Sequence, residues 1–170
     1  MDKGRVHLYW GEGKGKTTAA MGLALRALGQ GLSVTVVQFL KSGESGELEP
    51  LRRLGAAVFS GKAGTKFAAQ MTPAERAAAK ARHGENLRLA LERPCDLLIL
   101  DEACAAWRLD MVDGALLRRA VLERPECREV VLTGREPADW MLAAADYSTE
   151  MRCCRHPFRQ GLHARRGVEF

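Results

Sequence analysis

The sequence lacks an apolar run long enough to cross a membrane, and its cysteines lack the spacing of a metal or disulfide framework. A transmembrane helix needs about 18 or more apolar residues in succession, and no such run occurs in the 170 residues. The five cysteines include no C-x-x-C pair, and the four histidines show no metal-ligand spacing. The N-terminal residues show no signal-peptide core. We therefore expect a cytoplasmic protein with reduced thiols and no membrane partner.

The sequence also has little excess charge and no low-complexity or repeated segment. Its 26 Lys and Arg residues against 21 Asp and Glu residues give a net charge of +5, a balance that mostly reflects solvated surface. We therefore predict no nucleic-acid partner. With 46% hydrophobic and 28% charged residues in a chain of this length, we expect a single domain over residues 1–170 with a sizeable core.

Predicted strands and helices alternate along the chain. The segments that favour strands, by their apolar and β-branched residues, are 5–10, 32–40, 56–59, 96–100, 130–133 and 148–151. The segments that favour helices are 16–28, 73–92, 113–122 and 137–145, and the second of these starts with the capping sequence Thr72-Pro73-Ala74-Glu75. Segments 42–48 and 60–71 favour loops. This alternation predicts a three-layer αβα fold with a mostly parallel central sheet.

A glycine-rich segment joins the first predicted strand to the first predicted helix, and it reads Gly11-Glu12-Gly13-Lys14-Gly15-Lys16-Thr17-Thr18. The usual phosphate-binding pattern is G-x-x-x-x-G-K-[ST], which Gly15-Lys16-Thr17 match, whereas Trp10 takes the place of the first glycine. Glycines let the backbone curl so that successive N–H groups point at anionic oxygens. A plain turn needs neither two lysines nor two threonines. We predict an ATP-binding loop in a P-loop NTPase-like fold of the recombinase-like class.

The predicted catalytic residues are Lys16, Thr17 and Glu102. Lys16 would supply a positive charge to the phosphates, and the Thr17 hydroxyl would complete a Mg²⁺ shell. Asp101 and Glu102 follow an apolar strand, so the pair fits the acidic half of such a site and would bind Mg²⁺ directly or through water. The alternative interpretation of this acidic pair is a helix cap.

Two arginines are further candidates for contact with ATP. Arg26 lies ten residues after Lys16 on the first predicted helix, where it either reaches the nucleotide, bonds to a loop of the sheet or is solvated. Arg135 follows the strand that ends in Leu132-Thr133-Gly134, where it either reaches the triphosphate or forms a structural ion pair.

Four motifs in one order resemble the ATP:corrinoid adenosyltransferases of cobalamin biosynthesis and salvage. They are the loop 11–18, Val36-Val37-Gln38-Phe39-Leu40-Lys41, Leu100-Asp101-Glu102 and Val131-Leu132-Thr133-Gly134-Arg135. The ending is similar too, in Ala145-Asp146, Thr149-Glu150-Met151, His156-Pro157-Phe158, Gly161, Ala164-Arg165 and Gly167-Val168-Glu169-Phe170. The resemblance covers nearly the whole chain.

This resemblance implies a reaction in which the Co(I) of a reduced corrinoid attacks the 5′ carbon of ATP and expels triphosphate. The family holds the nucleotide in the reverse of the usual orientation, is homodimeric and receives electrons from a flavoprotein. Because Co(I) is a very strong nucleophile, the protein needs no general base, and its task is positioning and charge stabilisation.

The resemblance also implies where the corrinoid binds. The family carries an aromatic pair flanking a threonine before the long helix, whereas this chain has Thr65-Lys66-Phe67 with one aromatic residue. Phe67 is the candidate for the lower face of the corrin, unless it anchors the loop to the core. Gln38, Phe39 and Lys41 are candidates for lining the corrin cleft, with a core position as the alternative for Phe39.

Two other functions are compatible with the motifs. A recombinase-like ATP hydrolase would use Glu102 to orient water onto the γ-phosphate and would produce ADP. A binding protein without turnover, altered around Lys66 and Phe67, would bind ATP or a corrinoid and form no product.

Overall fold

The computed structural model of the chain describes residues 3–61, 66, 68–157 and 161–168. Six strands form the central sheet: β1 Val6–Trp10, β2 Val34–Gln38, β3 Ala57–Phe59, β4 Leu97–Asp101, β5 Glu129–Gly134 and β6 Tyr147–Glu150. Their order across the sheet is β3-β2-β4-β5-β1-β6, and every neighbouring pair is parallel. The predicted parallel sheet is therefore confirmed, and all six predicted strands are present.

Within these described ranges, six α-helices connect the strands: α1 Lys16–Gly29, α2 Leu48–Arg53, α3 Pro73–Leu91, α4 Ala103–Arg108, α5 Gly114–Leu122 and α6 Asp139–Ala144. A short 3-10 turn, Ala68–Gln70, precedes α3. Among the helices of the described ranges, none combines the length and apolar character needed to span a membrane.

The helices divide between the two faces of the sheet. Buried residues of α1 and α2 pack with Val34, Val36 and Ile99 on one face, while α3 to α6 pack with Leu98, Leu100 and alternate residues of β1 and β5 on the other. Side chains alternate between the faces of a strand, so central strands covered on both faces are apolar throughout. Burying each leucine or isoleucine contributes about 1.5–3 kcal/mol. The predicted three-layer αβα architecture is confirmed.

Helix α3 begins at the predicted capping sequence. The Thr72 hydroxyl accepts a hydrogen bond from the Glu75 backbone N–H, and the Glu75 carboxylate accepts one from the Thr72 N–H. Pro73 occupies the first turn, where a backbone N–H has no helical partner. Asp113 caps α5 in the same manner, by accepting from the Leu116 N–H. Both predicted helix starts are confirmed.

Two short helices of the described residues, α2 and α4, were not predicted from the sequence. Helix α2 lies between the predicted loop 42–48 and β3, and its six residues bury only Leu48 and Leu51, which is too short a pattern to show helical periodicity. Helix α4 directly follows Glu102, whose φ of 60° is left-handed and which makes no side-chain cap. Strand β2 ends at Gln38, two residues before its predicted end.

Candidate nucleotide-binding site

The glycine-rich loop lies between β1 and α1, at the carboxyl edge of the parallel sheet. Gly11 and Gly15 have φ angles of 106° and 117°, a left-handed region that side chains other than glycine rarely adopt. Helix α1 starts immediately after Gly15. The first N–H groups of a helix have no partner within the helix and carry the positive end of its dipole, so the loop presents a site for an anion.

The loop packs closely against the chain that follows β6. The Gly13 N–H donates to the carbonyl oxygen of Met151 at 2.6 Å, and a Cβ at Gly13 would lie 2.6 Å from that oxygen. The Gly11 N–H donates to the carbonyl oxygens of Gly134 and Arg135. Because backbone faces backbone here, only glycine fits at position 13.

Asp101 is the buried centre of a polar network behind the loop. Its side chain is fully buried, and four side chains donate to it. One carboxylate oxygen accepts from the hydroxyls of Thr17 at 2.8 Å and Thr133 at 2.7 Å. The other accepts from the Gln38 amide at 3.2 Å and the Lys41 ammonium at 3.0 Å. A buried carboxylate is tolerated only with such compensation.

Thr133 links Asp101 to Glu102. Its hydroxyl donates to Asp101 and accepts from the Glu102 backbone N–H at 2.9 Å. Burial, and next the charge of Asp101, raise the pKa of the Glu102 carboxyl, while Lys41 and Lys16 oppose that shift. Glu102 thus lies close enough to Lys16 for the two charges to interact.

Lys16 folds back over the loop. Its ammonium donates to the carbonyl oxygen of Gly13 at 2.7 Å. Burial lowers the pKa of Lys16, and the nearby charge of Glu102 has the opposite effect. The ammonium therefore bridges the loop from inside, in a position to exchange the Gly13 carbonyl for a phosphate oxygen.

The other charged residues of the loop lie on its exposed side. Arg135 forms an ion pair with Glu12 at 3.3 Å, and their side chains are 66% and 58% exposed. The Lys14 ammonium donates to the carbonyl oxygen of Val168 at 3.1 Å. Arg135 thus lies next to the loop and forms an ion pair, which was the alternative to a triphosphate contact. The contact with triphosphate stays a prediction.

Arg26 lies away from the loop. It is exposed in the last turn of α1, ten residues and about 15 Å of helix from Lys16. Its charge acts on Tyr9, where it opposes a rise in pKa caused mainly by burial. Within one chain, Arg26 is therefore not among the side chains that the structure brings to the phosphate loop.

The candidates for a corrinoid cleft separate into three groups. Gln38 and Phe39 are fully buried: Gln38 belongs to the Asp101 network, and Phe39 packs edge-to-face on His83 at 5.7 Å. Because both side chains are fully buried, neither lines a cleft that the described part of the chain forms. Lys41 is half-buried and lines an open cleft. Phe67 lies outside the described residues.

That cleft has a volume of about 650 Å³ and runs from the phosphate loop between α1 and α2. Thr17, Thr18 and Lys41 line its end near the loop. Its apolar wall comes from Met21, Leu25, Pro50, Leu51, Leu54 and Val168, and Leu25 and Leu54 are 56% and 54% exposed. The sequence did not predict this cleft because it did not predict α2.

His83 holds the backbone between the end of β2 and Lys41. The Leu40 backbone N–H donates to Nε2 of His83 at 3.1 Å, so Nε2 is the acceptor and Nδ1 donates to the Met111 carbonyl oxygen at 2.7 Å. Leu40 has a φ of 61°, a costly angle for a leucine. Neither His83 nor Thr133 was assigned a role from the sequence, although Thr133 is the middle residue of the motif Val131-Leu132-Thr133-Gly134-Arg135.

The residues proposed for Mg²⁺ offer oxygen ligands only. No cluster of three or more His, Cys, Asp or Glu residues able to hold a metal occurs in the described part of the chain. The Thr17 hydroxyl and the carboxylates of Asp101 and Glu102 suit Mg²⁺ when phosphate and water complete its shell. Lys41 forms an ion pair with Asp101 at 3.0 Å, so the charge of this carboxylate is already compensated in part.

Comparison with known proteins gives a match over residues 2–170 to the family described as "ATP:corrinoid adenosyltransferase BtuR/CobO/CobP". A corrinoid adenosyltransferase of Pseudomonas aeruginosa is 34% identical, with 99% of this chain and 85% of the relative covered. A corrinoid adenosyltransferase of Sinorhizobium sp is 35% identical, with 99% of this chain and 81% of the relative covered. The corrinoid adenosyltransferase CobA of Salmonella typhimurium is 33% identical, with 99% of this chain and 87% of the relative covered.

Proposed function

The chain belongs to the ATP:corrinoid adenosyltransferase family, a family of transferases, and from this premise we propose that it transfers the 5′-deoxyadenosyl group of Mg-ATP to the Co(I) of a reduced corrinoid. The electron pair of Co(I) forms the bond to C5′, and the bond between C5′ and oxygen breaks. Its electron pair leaves with the triphosphate. No proton moves, so no general base is required.

The observation that carries this proposal is the coupling of the phosphate loop to a buried carboxylate through Thr17. The hydrogen bond from Thr17 to Asp101 fixes the start of α1, and with it the direction of the free N–H groups. These groups and the Lys16 ammonium would stabilise the charge that grows on the leaving triphosphate. Preorganised donors of this kind contribute about 2.7–4 kcal/mol each to transition-state stability.

Thr17, Asp101 and Glu102 are the residues that would hold Mg²⁺. When bound with ATP, Mg²⁺ neutralises charge on the phosphates. Lys41 donates to the carboxylate oxygen of Asp101 that does not contact Thr17, so Asp101 could take part without losing its contact with Lys41. Lys41 thus keeps the buried carboxylate compensated before the nucleotide binds.

The cleft between α1 and α2 is our proposed entry for the corrinoid. It begins at Thr17, Thr18 and Lys41 and is otherwise largely apolar, as a site for a hydrophobic ring requires. Phe67 remains our proposal for the lower face of the ring. A homodimeric assembly and a transient flavoprotein reductant are carried over from the family as proposals.

The test is an anaerobic reaction of the protein with chemically reduced cobalamin and Mg-ATP. We expect the light-sensitive spectrum of an alkyl-cobalt product. Lys16→Met should lower the rate by about 100-fold or more. Lys80→Met should leave it unchanged, because Lys80 lies on the outer face of α3 and pairs with the exposed Asp110. ADP without an alkyl-cobalt spectrum would favour the hydrolase, and ATP binding without any product would favour the binding protein.

A further inference from the structure

Gln38 ends β2 directly beside Asp101, the last residue of β4. The two residues are register partners on neighbouring parallel strands, and both are fully buried. The Gln38 amide nitrogen donates to Oδ2 of Asp101 at 3.2 Å. A buried amide needs partners for both its N–H and its C=O groups, so the other contacts of Gln38 show what else this side chain holds in place.

The remaining contacts of the Gln38 amide lead away from Asp101. Its nitrogen also donates to the Glu47 carboxylate at 3.4 Å, and its oxygen accepts from the hydroxyls of Ser60 at 2.9 Å and Ser45 at 3.4 Å. Ionised carboxylates only accept hydrogen bonds, so the end of the amide that faces Asp101 and Glu47 is the nitrogen. An amide has two N–H donors and an oxygen with two lone pairs, and these partners use its full capacity.

Two of these partners belong to the wall of the cleft between α1 and α2. Ser45 and Glu47 line the cleft, within the segment 42–47 that precedes α2, which we call the cleft loop. Glu47 stands immediately before α2 but makes no side-chain cap there, and its carboxylate accepts from Gln38 instead. The side chain of Gln38 therefore supports the cleft loop from inside the protein.

Ser60 supports the cleft loop from the opposite side. It directly follows β3 and makes a contact of 2.9 Å with Gln38. The cleft loop packs on the same segment, because a Cβ at Gly43 would lie 3.5 Å from the Cα of Gly61. The cleft loop thus rests between the end of β3 and the Gln38 amide.

The Asp101 carboxylate connects this arrangement to the phosphate loop. Its Oδ1 accepts from Thr17 at the start of α1, and its Oδ2 accepts from Gln38 and from Lys41. A carboxylate is a rigid planar group, so a ligand that restrains one of its oxygens also restrains the other. A nucleotide that contacts Thr17 or Asp101 would therefore also restrict the motion of Gln38.

We propose that Gln38 is a positioning residue that ties the cleft loop to Asp101, so that nucleotide binding orders the wall of the cleft in which the second substrate binds. Gln38 acts through Asp101, Ser45 and Glu47 and does not itself contact a reacting atom. The identification of the second substrate as a corrinoid rests on the proposed function. The link between the nucleotide site and the cleft loop rests on the hydrogen bonds alone.

The test is hydrogen–deuterium exchange of the full chain, measured by mass spectrometry with and without saturating Mg-ATP. The Leu48 and Leu51 N–H groups donate to the carbonyl oxygens of Ser45 and Glu47, so their exchange reports the order of the cleft loop. In the unchanged protein, we expect Mg-ATP to slow this exchange by about threefold, as the restraint of a single hydrogen bond allows.

Two variants cut the link at different points. Gln38→Met keeps the length of the side chain and removes its hydrogen bonds. Ser45→Ala combined with Ser60→Ala, at half-buried positions, leaves the contact between Gln38 and Asp101 intact and frees the cleft loop. In both variants the slowing at Leu48 and Leu51 should disappear, while Mg-ATP still protects the phosphate loop.

The matched control is Thr35→Val, at another buried position of β2, and it should keep the slowing. The serine variant decides alone if Gln38→Met does not fold. The proposal is overturned if Mg-ATP does not slow exchange in the unchanged protein, or if the slowing persists in the folded serine variant. No corrinoid is needed, so this result is separate from the outcome of the transfer assay.

The kinetics of transfer distinguish positioning from a general loss of stability. At saturating substrates, the serine variant should keep the kcat of the unchanged protein, and its KM for the corrinoid should rise severalfold, because a disordered cleft wall weakens binding rather than chemistry. An unchanged KM for the corrinoid contradicts the proposal. Absence of product with the unchanged protein would instead refute the proposed function and leave the exchange result to decide the role of Gln38.

Discussion

The two sides of the phosphate loop are built in opposite ways. On the inner side, Thr17 and Lys41 donate to a fully buried Asp101. On the outer side, Glu12 and Arg135 form an ion pair that is more than half exposed. Hydrogen bonds to a charged group contribute about 1.5–3 kcal/mol, whereas exposed ion pairs contribute about 0–1 kcal/mol. The inner side therefore fixes geometry, and the outer side is free to exchange partners with a ligand.

The largest effect is expected on the inner side, from Asp101→Asn. The change keeps the shape but leaves the Lys41 ammonium without its carboxylate, and breaking one partner of a buried pair costs about 3–5 kcal/mol. The free energy of unfolding, measured with urea, should fall by about that amount, and adenosyl transfer should be lost with it.

The matched control is Asp113→Asn. Asp113 caps α5 through a hydrogen bond to the Leu116 N–H, and asparagine caps a helix about as well as aspartate. We expect little change in stability. If both variants unfold at the same urea concentration as the unchanged protein, Asp101 is not the buried centre of the site.

The next effect concerns the contact between the loop and the chain after β6. A methyl group at Gly13 would lie 2.6 Å from the Met151 carbonyl oxygen, whereas at Gly22 nothing lies within 4 Å. Gly13→Ala should destabilise by about 1–3 kcal/mol, and Gly22→Ala, within helix α1, should stabilise by about 0.5–1 kcal/mol. Opposite shifts of the thermal midpoint support the close packing, and equal shifts contradict it.

The sequence predicted the phosphate loop and its acidic pair better than the cleft between α1 and α2. The glycines, Lys16 and the acidic pair are contiguous motifs with fixed spacing, so their meeting at one edge of a parallel sheet follows from the fold. The cleft depends on α2, a six-residue helix with too few apolar positions to show a period. Gln38 was assigned to a corrinoid cleft from its place near the end of the second predicted strand, whereas in the structure its side chain donates to Asp101.

A smaller effect with a defined sign comes from Glu102. Burial, and then Asp101, raise the pKa of its carboxyl above the value of about 4.3 found in unfolded chains. Its contribution to stability is full below that value and is lost as the pH rises through the folded pKa. Glu102→Gln should therefore be more stable than the unchanged protein at pH 8, with a difference that shrinks toward pH 4.

Asp96 provides the opposite case. Hydrogen bonds from the Ser33 hydroxyl and backbone N–H lower the pKa of its carboxyl, so its contribution is present at neutral pH and is lost as the pH falls through the folded pKa. Asp96→Asn should be less stable at pH 8, and the deficit should shrink in acid. Urea midpoints measured from about pH 2 to pH 8 decide, because the Asp96 contribution is lost only below about pH 3.9, and a Glu102→Gln advantage that grows in acid refutes the first assignment.

The smallest effect on stability is expected on the outer side. Arg135→Met removes an exposed ion pair, so the free energy of unfolding should change by less than about 0.5 kcal/mol. ATP affinity should nevertheless fall severalfold if Arg135 leaves Glu12 for the phosphates. Glu12→Gln should then raise ATP affinity, because it releases Arg135. An equal loss of affinity in both variants would show that the pair acts as a unit.

The central claim is that this chain breaks the bond between C5′ and oxygen of ATP rather than a bond between phosphates. The most direct measurement is a single turnover with enzyme in excess over Co(I) corrinoid, with the phosphorus products resolved by ³¹P NMR. We predict one intact triphosphate for each cobalt–carbon bond formed, and no turnover of ATP without corrinoid. ADP and orthophosphate, formed at the same rate whether or not corrinoid is present, would contradict it.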